Sequence, residues 1–535
     1  MMRLADILVD KELREQSMVC LFFIALLLLG LFIFSDYGIS WDEPAQRQIA
    51  EHNYNYIFHS NDSLLWFKDR FYGVAFELPA YMIEKLIGIE DSQSSYFFRH
   101  LLIFLVFYLG VYFFYKLNML YFNRRLISLT ACLFLVLSPR IFAHAFYNSK
   151  DLVFLSIFII SIYTMLSYHF QPTRLRLLAH VLLSALLINV RVIGIVVVAG
   201  TFLLHLGMML VDCWNKNYRQ IPKRLLEVII YFVATAVLLL ATWPILWSDP
   251  INNFIKTIEV MANFPWYGYV LYSGVIYQSD SLPWHYVPFW IAISTPLIYL
   301  FLFILGLIKY FVFIGKEKWQ TFKNRETVFR LVFLAWLFLV MAYVMAYRPI
   351  IYNGGRQLYF IYPALIIIAT DGLLWLYKAG MTLSLRAQNF YKSVLLVIVA
   401  ATLFPVASFM ITAHPYQDVY FNEIIGKQKN IQTQFEFDYW GLSCRQAMEY
   451  IASIDKREGL LIGYDTNSPI NNISILPEAD RRRMRLTNRP YMADYFLPYR
   501  SRSLPLPPYC TEISAITVND SKLLPIYKCL KPLNN

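Results

Sequence analysis

Eleven stretches of the chain are nearly free of charge and close to the length needed to cross a lipid bilayer. They fall at about 17–34, 98–115, 126–144, 152–169, 177–190, 192–212, 226–246, 286–308, 328–347, 358–377 and 393–412. A helix of about 20 apolar residues spans the hydrocarbon core. Of 535 residues, 58% are hydrophobic and only 16% charged, which leaves too little polar surface for a soluble protein carrying so many such runs. The first run is followed by "SDYGISWDEP" and not by a small-residue cleavage site, so it reads as a retained span and not as a signal peptide. The expected fold class is an all-α polytopic membrane protein of about eleven transmembrane helices with a small α/β domain at its carboxyl end.

Charge orients the spans. Basic connections occur at "KLNMLYFNRR", "QPTRLR", "NKNYRQIPKR", "KYFVFIGKEKWQTFKNRE" and "KAGMTLSLRAQNFYK". Lys and Arg are retained on the cytoplasmic side. The net charge of +11, 47 basic against 36 acidic residues, is therefore an orientation signal and not a mark of nucleic-acid binding. Residues 177–212 would make one helix of about 54 Å, too long for a bilayer, and both flanks are basic. A hairpin turning near Arg191 meets both conditions. The amino terminus is then cytoplasmic. Segments 36–97, 145–151, 247–285 and 348–357 lie outside, as does the tail from 413. The division expected is a membrane catalytic domain, 1–412, and an outer domain, 413–535.

In the outer segments, "PAQRQIAEHNYNYIF" opens on Pro44 and has helical spacing. The tail offers a helix in "SCRQAMEYIASI", strands in "GLLIGY" and "AITV", and irregular chain around "SLPLPPY". Cys510 and Cys529 form a disulfide or stay free; the sequence leaves this open and leaves Cys444 without a partner. The run "ADRRRMRL" is either a dock for an anionic acceptor or headgroup, or a solvated helix face.

The unusual polar residues collect on the outer side. "WDEP" carries Asp42 and Glu43 just past the first span. "SPRIFAHAFYNSKD" carries His144, Lys150 and Asp151, "NVRVIG" carries Arg191, "SLPWHY" carries Trp284 and His285, and "YRPIIYNGGRQLYF" carries Arg348 and Arg356 around Gly354 and Gly355. Each has a plainer reading: helix-end charges for Asp42, Glu43 and Lys150–Asp151, headgroup snorkelling for Arg348, hydrogen-bonded interface histidines for His144 and His285. Together they suit a sugar transfer from a lipid phosphate. Cations neutralise the phosphate, and one carboxylate draws the proton from an acceptor hydroxyl. Because phosphate leaves readily once its charge is countered, the second carboxyl group of a glycoside hydrolase is not needed.

On "WDEP", "SPRIFAHAFYNSKD" and the many-span layout with an outer tail, the sequence resembles integral-membrane glycosyltransferases of the GT-C superfamily. The resemblance runs to glycosyltransferase family 39, with the protein O-mannosyltransferases and the lipid A aminoarabinose transferase; "YNGGRQLYFIYPAL", "HPYQDVYFNEIIG" and "FEFDYWGLS" resemble a bacterial branch. It implies an inverting transfer from an undecaprenyl-phosphate sugar to a lipid, glycan or protein hydroxyl, at the periplasmic face of the inner membrane. It implies Asp42 as general base, Glu43 as its tuner or the acceptor's guide, and Asp151 as the second-loop acid. Lys150, Arg191 and Arg356 are phosphate candidates, and His144, Trp284, His285 and Arg348 candidates for lining the pocket. No dense His/Asp cluster is visible, so no obligatory cofactor is expected, although relatives differ over divalent metal. Other partners expected are membrane lipids, and no nucleic acid. The competing class is a transporter or lipid flippase, which places ionisable groups at the bilayer midplane on repeated halves. A structural assembly factor would leave the acidic loops without a role.

Overall fold

The computed structural model describes residues 2–262, 264, 266–314, 324–425, 431–465, 468–498 and 508–530. All but the last two residues of "SLPLPPY" and half of the basic connection at 309–326 lie outside these.

The first long helix, α1 (Met2–Ile33), leads into a segment holding α2 (Glu43–Phe58), the single turn α3 (Ser63–Trp66) and α4 (Glu77–Leu86). Then come α5 (Ser92–Phe122), α6 (Arg125–Val136), α7 (Pro139–Tyr147), α8 (Asp151–Phe170), α9 (Arg174–Val190), α10 (Ile195–Trp214) and α11 (Ile221–Thr242). A second such segment holds α12 (Pro250–Ala262) and the hairpin β1 (Tyr269–Tyr272) and β2 (Val275–Gln278). The helical body ends with α13 (Tyr286–Ser294), α14 (Leu297–Ile314), α15 (Arg325–Tyr347), α16 (Tyr362–Gly380) and α17 (Leu385–Thr412).

All eleven apolar runs are helical, but two of them are not straight spans. Among the described residues, eight helices are long and apolar enough to cross a membrane, or ten if two bent pairs count as one span each. The pairs are α6–α7, bent by 71°, and α13–α14, bent by 117°. The runs at 126–144 and 286–308 thus break where Pro139 and Pro296 stand; proline removes a helix donor and clashes with the preceding turn. At 17 residues, α9 is about 26 Å long, a short crossing. It turns back at Arg191, whose backbone is extended. His180 of α9 meets Thr201 of α10 at 2.8 Å, roughly equidistant from the turn, so the two helices form the expected hairpin.

Two helices sit in the middle of the body. Of the most apolar windows, those of α8 and of the α16 segment are each 83% buried, whereas those of α1, α11 and α17 are only 22%, 22% and 17% buried. The outer helices turn side chains such as Phe32, Val237, Phe404 and Ile411 outward. An apolar rim of this extent is unsuited to water and natural to lipid. The chain is a multi-pass membrane protein.

After α17 the tail packs over one end of the bundle. Its helix α18 (Ser443–Ile454) lies against a five-stranded mixed sheet made of β3 (Leu460–Tyr464), β4 (Met484–Thr487), β5 (Tyr495–Leu497), β6 (Cys510–Val518) and β7 (Ser521–Cys529). The strand order is β4-β3-β5-β7-β6, parallel across the first three and antiparallel thereafter. Cys510 and Cys529, paired in register across β6 and β7, form a disulfide, and Cys444 is buried and free. Asn472 binds both the N–H and the carbonyl of Ile39 (2.9 and 3.1 Å), and Arg445 donates to the carbonyl of Tyr37 at 2.8 Å, tying the tail to the loop between α1 and α2. The arginine run is partly committed to the fold: Arg481 pairs with Asp91 at 3.1 Å, and Arg483 donates to the carbonyl of Asp455 at 2.8 Å.

Candidate active site

Five of the sequence candidates meet at one point. Arg356 donates through Nη2 to Asp42 Oδ2 at 2.9 Å and through Nη1 to Asp151 Oδ2 at 2.5 Å. Arg191 pairs with the other oxygen of Asp151, and Lys150 Nζ stands 3.9 Å from Asp42 Oδ2. Three cations and two carboxylates thus come from four separate segments. The bundle supplies the reason each side chain points there. Asp151 opens α8, and its carboxylate also accepts from Asn148 at 3.1 Å. Arg191 projects from the hairpin turn. Arg356 follows Gly354 and Gly355, both at positive φ (68° and 69°), a left-handed pair that side chains with a Cβ resist. The loop beside Arg191 is equally tight: a Cβ on Gly73 would fall 1.8 Å from the carbonyl oxygen of Asn189.

Asp42 sits at the N-cap of α2, as a helix-end charge would, but makes no side-chain cap hydrogen bond. Glu43 reaches back out of the helix and accepts from the N–H of Ser40 at 2.6 Å. Asp42 keeps 28% of its side chain exposed, and its neighbour Lys150 keeps 11%. Burial pushes the Lys150 ammonium below its ordinary range, while Asp42 pulls it back.

Two cavities adjoin at this cluster and share Tyr72, Lys150, Phe264 and Tyr352. The first, about 260 Å³, is walled by apolar side chains of 190–195, α12, α15 and 349–360, with Lys150, Arg191 and Arg356 as its cations. The second, about 220 Å³, is polar and aromatic, with Asp42, Gln46, Lys68, Asp69, Trp266 and Tyr439 in its wall. Trp266 stacks on Tyr352 with centroids 4.1 Å apart. The Lys150 ammonium lies 4.4 Å from the Tyr72 ring centre, and the Arg356 guanidinium 4.3 Å from that of Trp440. Burial pushes the Tyr352 hydroxyl up to about 12, so it remains a neutral hydrogen-bonding group near pH 7.

The remaining candidates are placed elsewhere. Glu43 is fully buried behind Asp42 and faces neither cavity; its Oε1 meets His100 Nε2 at 2.8 Å. His144 is also enclosed, accepting from the Trp440 indole N–H at 3.1 Å, so it supports the ring beneath Arg356 and does not line a pocket. His285 bonds the Tyr272 hydroxyl at 2.8 Å. Trp284 and Arg348 line a small cavity of about 20 Å³ that adjoins the apolar one through Val344, Pro349 and Ile351. None of these three lies among the walls of the two larger cavities, although the amino end of α13 packs on the turn that carries Arg356, with the Tyr286 hydroxyl accepting from the N–H of Gly354 at 3.1 Å.

Trp266 lines the polar cavity as an aromatic expected to stack on a sugar, whereas Tyr72, Tyr352, Tyr439 and Trp440 are the contributors that sequence reasoning did not assign to the cluster. Tyr352, Tyr439 and Trp440 stand in the quoted stretches "YNGGRQLYFIYPAL" and "FEFDYWGLS", but with 17% aromatic residues in the chain nothing there picked out these rings. Among the described residues, no group of three or more His, Cys, Asp or Glu side chains is placed to hold a metal ion.

No protein-family model matches the chain, and no curated protein matches it. Among solved structures it is similar to ArnT from Cupriavidus metallidurans, both bound to undecaprenyl phosphate and in the apo state. Each comparison covers 96% of this chain and 98% of that one at 14% identity, with a TM-score of 0.49. It is also similar to the Archaeoglobus fulgidus oligosaccharyltransferase in its apo form, over 88% of this chain and 65% of that one, at 11% identity and a TM-score of 0.47. Likeness of this degree carries no argument about the chain's fold family or its chemistry.

Proposed function

We propose that the chain is a glycosyltransferase that moves a sugar from a polyprenyl-phosphate carrier, undecaprenyl phosphate in a bacterial membrane, to an acceptor hydroxyl at the outer face. The observation that carries this reading is the seam between the two cavities. On one side an apolar chamber holds Lys150, Arg191 and Arg356; on the other a polar, aromatic chamber reaches Asp42. A prenyl chain and its phosphate suit the first, and a sugar ring, which stacks on aromatic faces, suits the second.

In the proposed step the acceptor oxygen attacks the anomeric carbon from the side opposite the carrier, which inverts that centre. Asp42 takes the hydroxyl proton. The bond from the anomeric carbon to the phosphate oxygen breaks, and the phosphate departs with the electron pair, its charge offset by Arg356, Lys150 and Arg191. Asp151 holds Arg356 and Arg191 for that task. The step draws its positive charge from side chains. The Cys510–Cys529 disulfide supports an oxidising, extracytoplasmic location for the tail, with the amino terminus cytoplasmic and the protein in the inner membrane.

The test is transfer by the purified, reconstituted protein supplied with a panel of undecaprenyl-phosphate sugars and with lipid, glycan and peptide acceptors. Wild type is expected to use at least one pair. Asp42→Asn, which keeps the shape but takes no proton, is expected to lose about 10²–10⁴-fold in rate while still binding the carrier. Carrier movement across the bilayer with no transfer from any donor would overturn the reading in favour of a lipid flippase.

A further inference from the structure

Behind the two acidic loops lies a layer of buried charge that the proposed reaction does not use. It centres on Arg99 and His100, adjacent residues near the start of α5, and both are fully buried. His100 Nε2 lies 2.8 Å from Glu43 Oε1, and Glu43 Oε2 accepts from the Ser40 N–H at 2.6 Å. Glu43 is the residue next to Asp42. In parallel, Arg99 Nη2 pairs with Glu77 Oε2, and Glu77 Oε1 accepts from the Ser149 hydroxyl. Ser149 is the residue next to Lys150. Two relays of the same build therefore leave neighbouring positions on one helix, and each ends beside one of the two groups assigned to the reaction. Ser40 closes the figure, its hydroxyl donating to the carbonyl of Tyr147 at 3.3 Å.

Stability alone does not explain such a layer. Apolar residues of similar volume often replace a buried ion pair without loss, because desolvation offsets most of its attraction. Here the cost is higher still, since Arg99 Nε and Nη1 and His100 Nδ1 are buried without hydrogen-bond partners among the described residues. What an apolar replacement does not supply is direction: a hydrogen bond from a rigid helix fixes where a loop stands.

We propose that Arg99 and His100 are positioning residues that set the spacing between the Asp42 loop and the Lys150 loop. Each acts through one carboxylate, Glu77 or Glu43. The inference rests on the roles given above to Asp42 and Lys150. It adds that each group is held chiefly by its own relay, the 3.3 Å bond from Ser40 to Tyr147 being a weak link between the loops, so that loosening one relay displaces its own group far more than the other. An error of about 1 Å at a reacting group costs on the order of 10²-fold in rate.

The experiment pairs hydrogen exchange with kinetics on the full-length protein in lipid nanodiscs. His100→Leu is expected to speed exchange about tenfold or more in 36–46 while leaving 145–152 little changed. It should lower kcat with little change in the KM for donor, and His100→Gln, which restores a donor at the same reach, should recover both. The double variant Glu77→Leu/Arg99→Met is expected to do the reverse, loosening chiefly 145–152 and raising the donor KM. Should the apolar variants fail to fold, His100→Asn and Arg99→Lys are expected to give the same loop-selective pattern at smaller amplitude. Uniform loosening of both loops, or of neither, overturns the proposal, as does the same kcat and KM signature from both relays. If wild type transfers no sugar from any donor, the glycosyltransferase reading fails, while the exchange measurements still decide whether each loop is held separately.

Discussion

Replacing Arg356 with lysine separates charge from geometry at the centre of the site. The arginine joins two carboxylates with two nitrogens, Asp42 at 2.9 Å and Asp151 at 2.5 Å, while its plane rests on Trp440. A lysine ammonium is a single point that cannot hold both carboxylates in that forked geometry or lie flat on an indole. Asp151 retains Arg191 and Asn148, so the bond lost is the one to Asp42. A hydrogen bond between charged groups contributes about 1.5–3 kcal/mol; with Asp42 28% exposed, solvent screening reduces this to about 1–2 kcal/mol of folding stability. The effect on transfer is larger, because the fork is also the proposed grip on the departing phosphate. Losing about 2–3 kcal/mol there lowers kcat/KM by about 30–160-fold. Arg356→Met, which leaves buried Asp151 one cation short, is expected to cost about 3–5 kcal/mol in stability. The assays are steady-state transfer at varied donor concentration and thermal unfolding in the same detergent. A lysine variant within about threefold of wild type in kcat/KM would show that a point charge suffices and that the forked bridge is incidental.

Three further outcomes follow from other parts of the molecule. Asp418 is buried with both carboxyl oxygens unpartnered among the described residues; burial and then the nearby Asp438 push it up to about 8, against Arg140. A carboxyl raised in the folded state favours folding fully below its unfolded value near 4 and loses that contribution as pH rises toward 8. Unfolding temperature should therefore fall between pH 5 and pH 8 (about the span between those two values), and Asp418→Asn should flatten the fall; an unchanged slope would refute the assignment. Removing the Cys510–Cys529 bridge by Cys510→Ser/Cys529→Ser should destabilise the tail by about 3 kcal/mol or less, read by protease sensitivity of the β6–β7 pair, because those strands are already paired in register. Reporter fusions after residues 36, 215 and 413 should read outside, inside and outside, and an inside signal at 413 would reverse the proposed orientation.

Much of this architecture was legible because lipid imposes a simple rule on sequence. Each apolar run became a helix, and the over-long stretch at 177–212 folded back at Arg191. The bends at Pro139 and Pro296 were the part not read, since hydropathy averages over a proline. Asp42, Lys150, Asp151, Arg191 and Arg356 stood out as charges at the margins of apolar runs. Arg99 and His100 did not, because they open the run at 98–115 and looked like its ordinary polar edge. His144, Trp284, His285 and Arg348 share the same side of the sequence map as the cluster, but proximity along a bilayer face does not fix direction. His144 turned inward toward Trp440, and the other three travelled with α13 and the end of α15. The sheet order of the tail, with two parallel pairs among short strands, depends on contacts far apart in the chain and leaves little local trace.

The indole beneath Arg356 comes from residue 440, well beyond the last membrane helix, while its neighbour Tyr439 walls the polar chamber. The tail thus supplies part of the wall of the proposed reaction centre. Grafting a foreign ectodomain onto residues 1–412 would leave a guanidinium without its floor. For a protein of this kind, swapping tails to alter what is recognised outside would alter the chemistry at the same time.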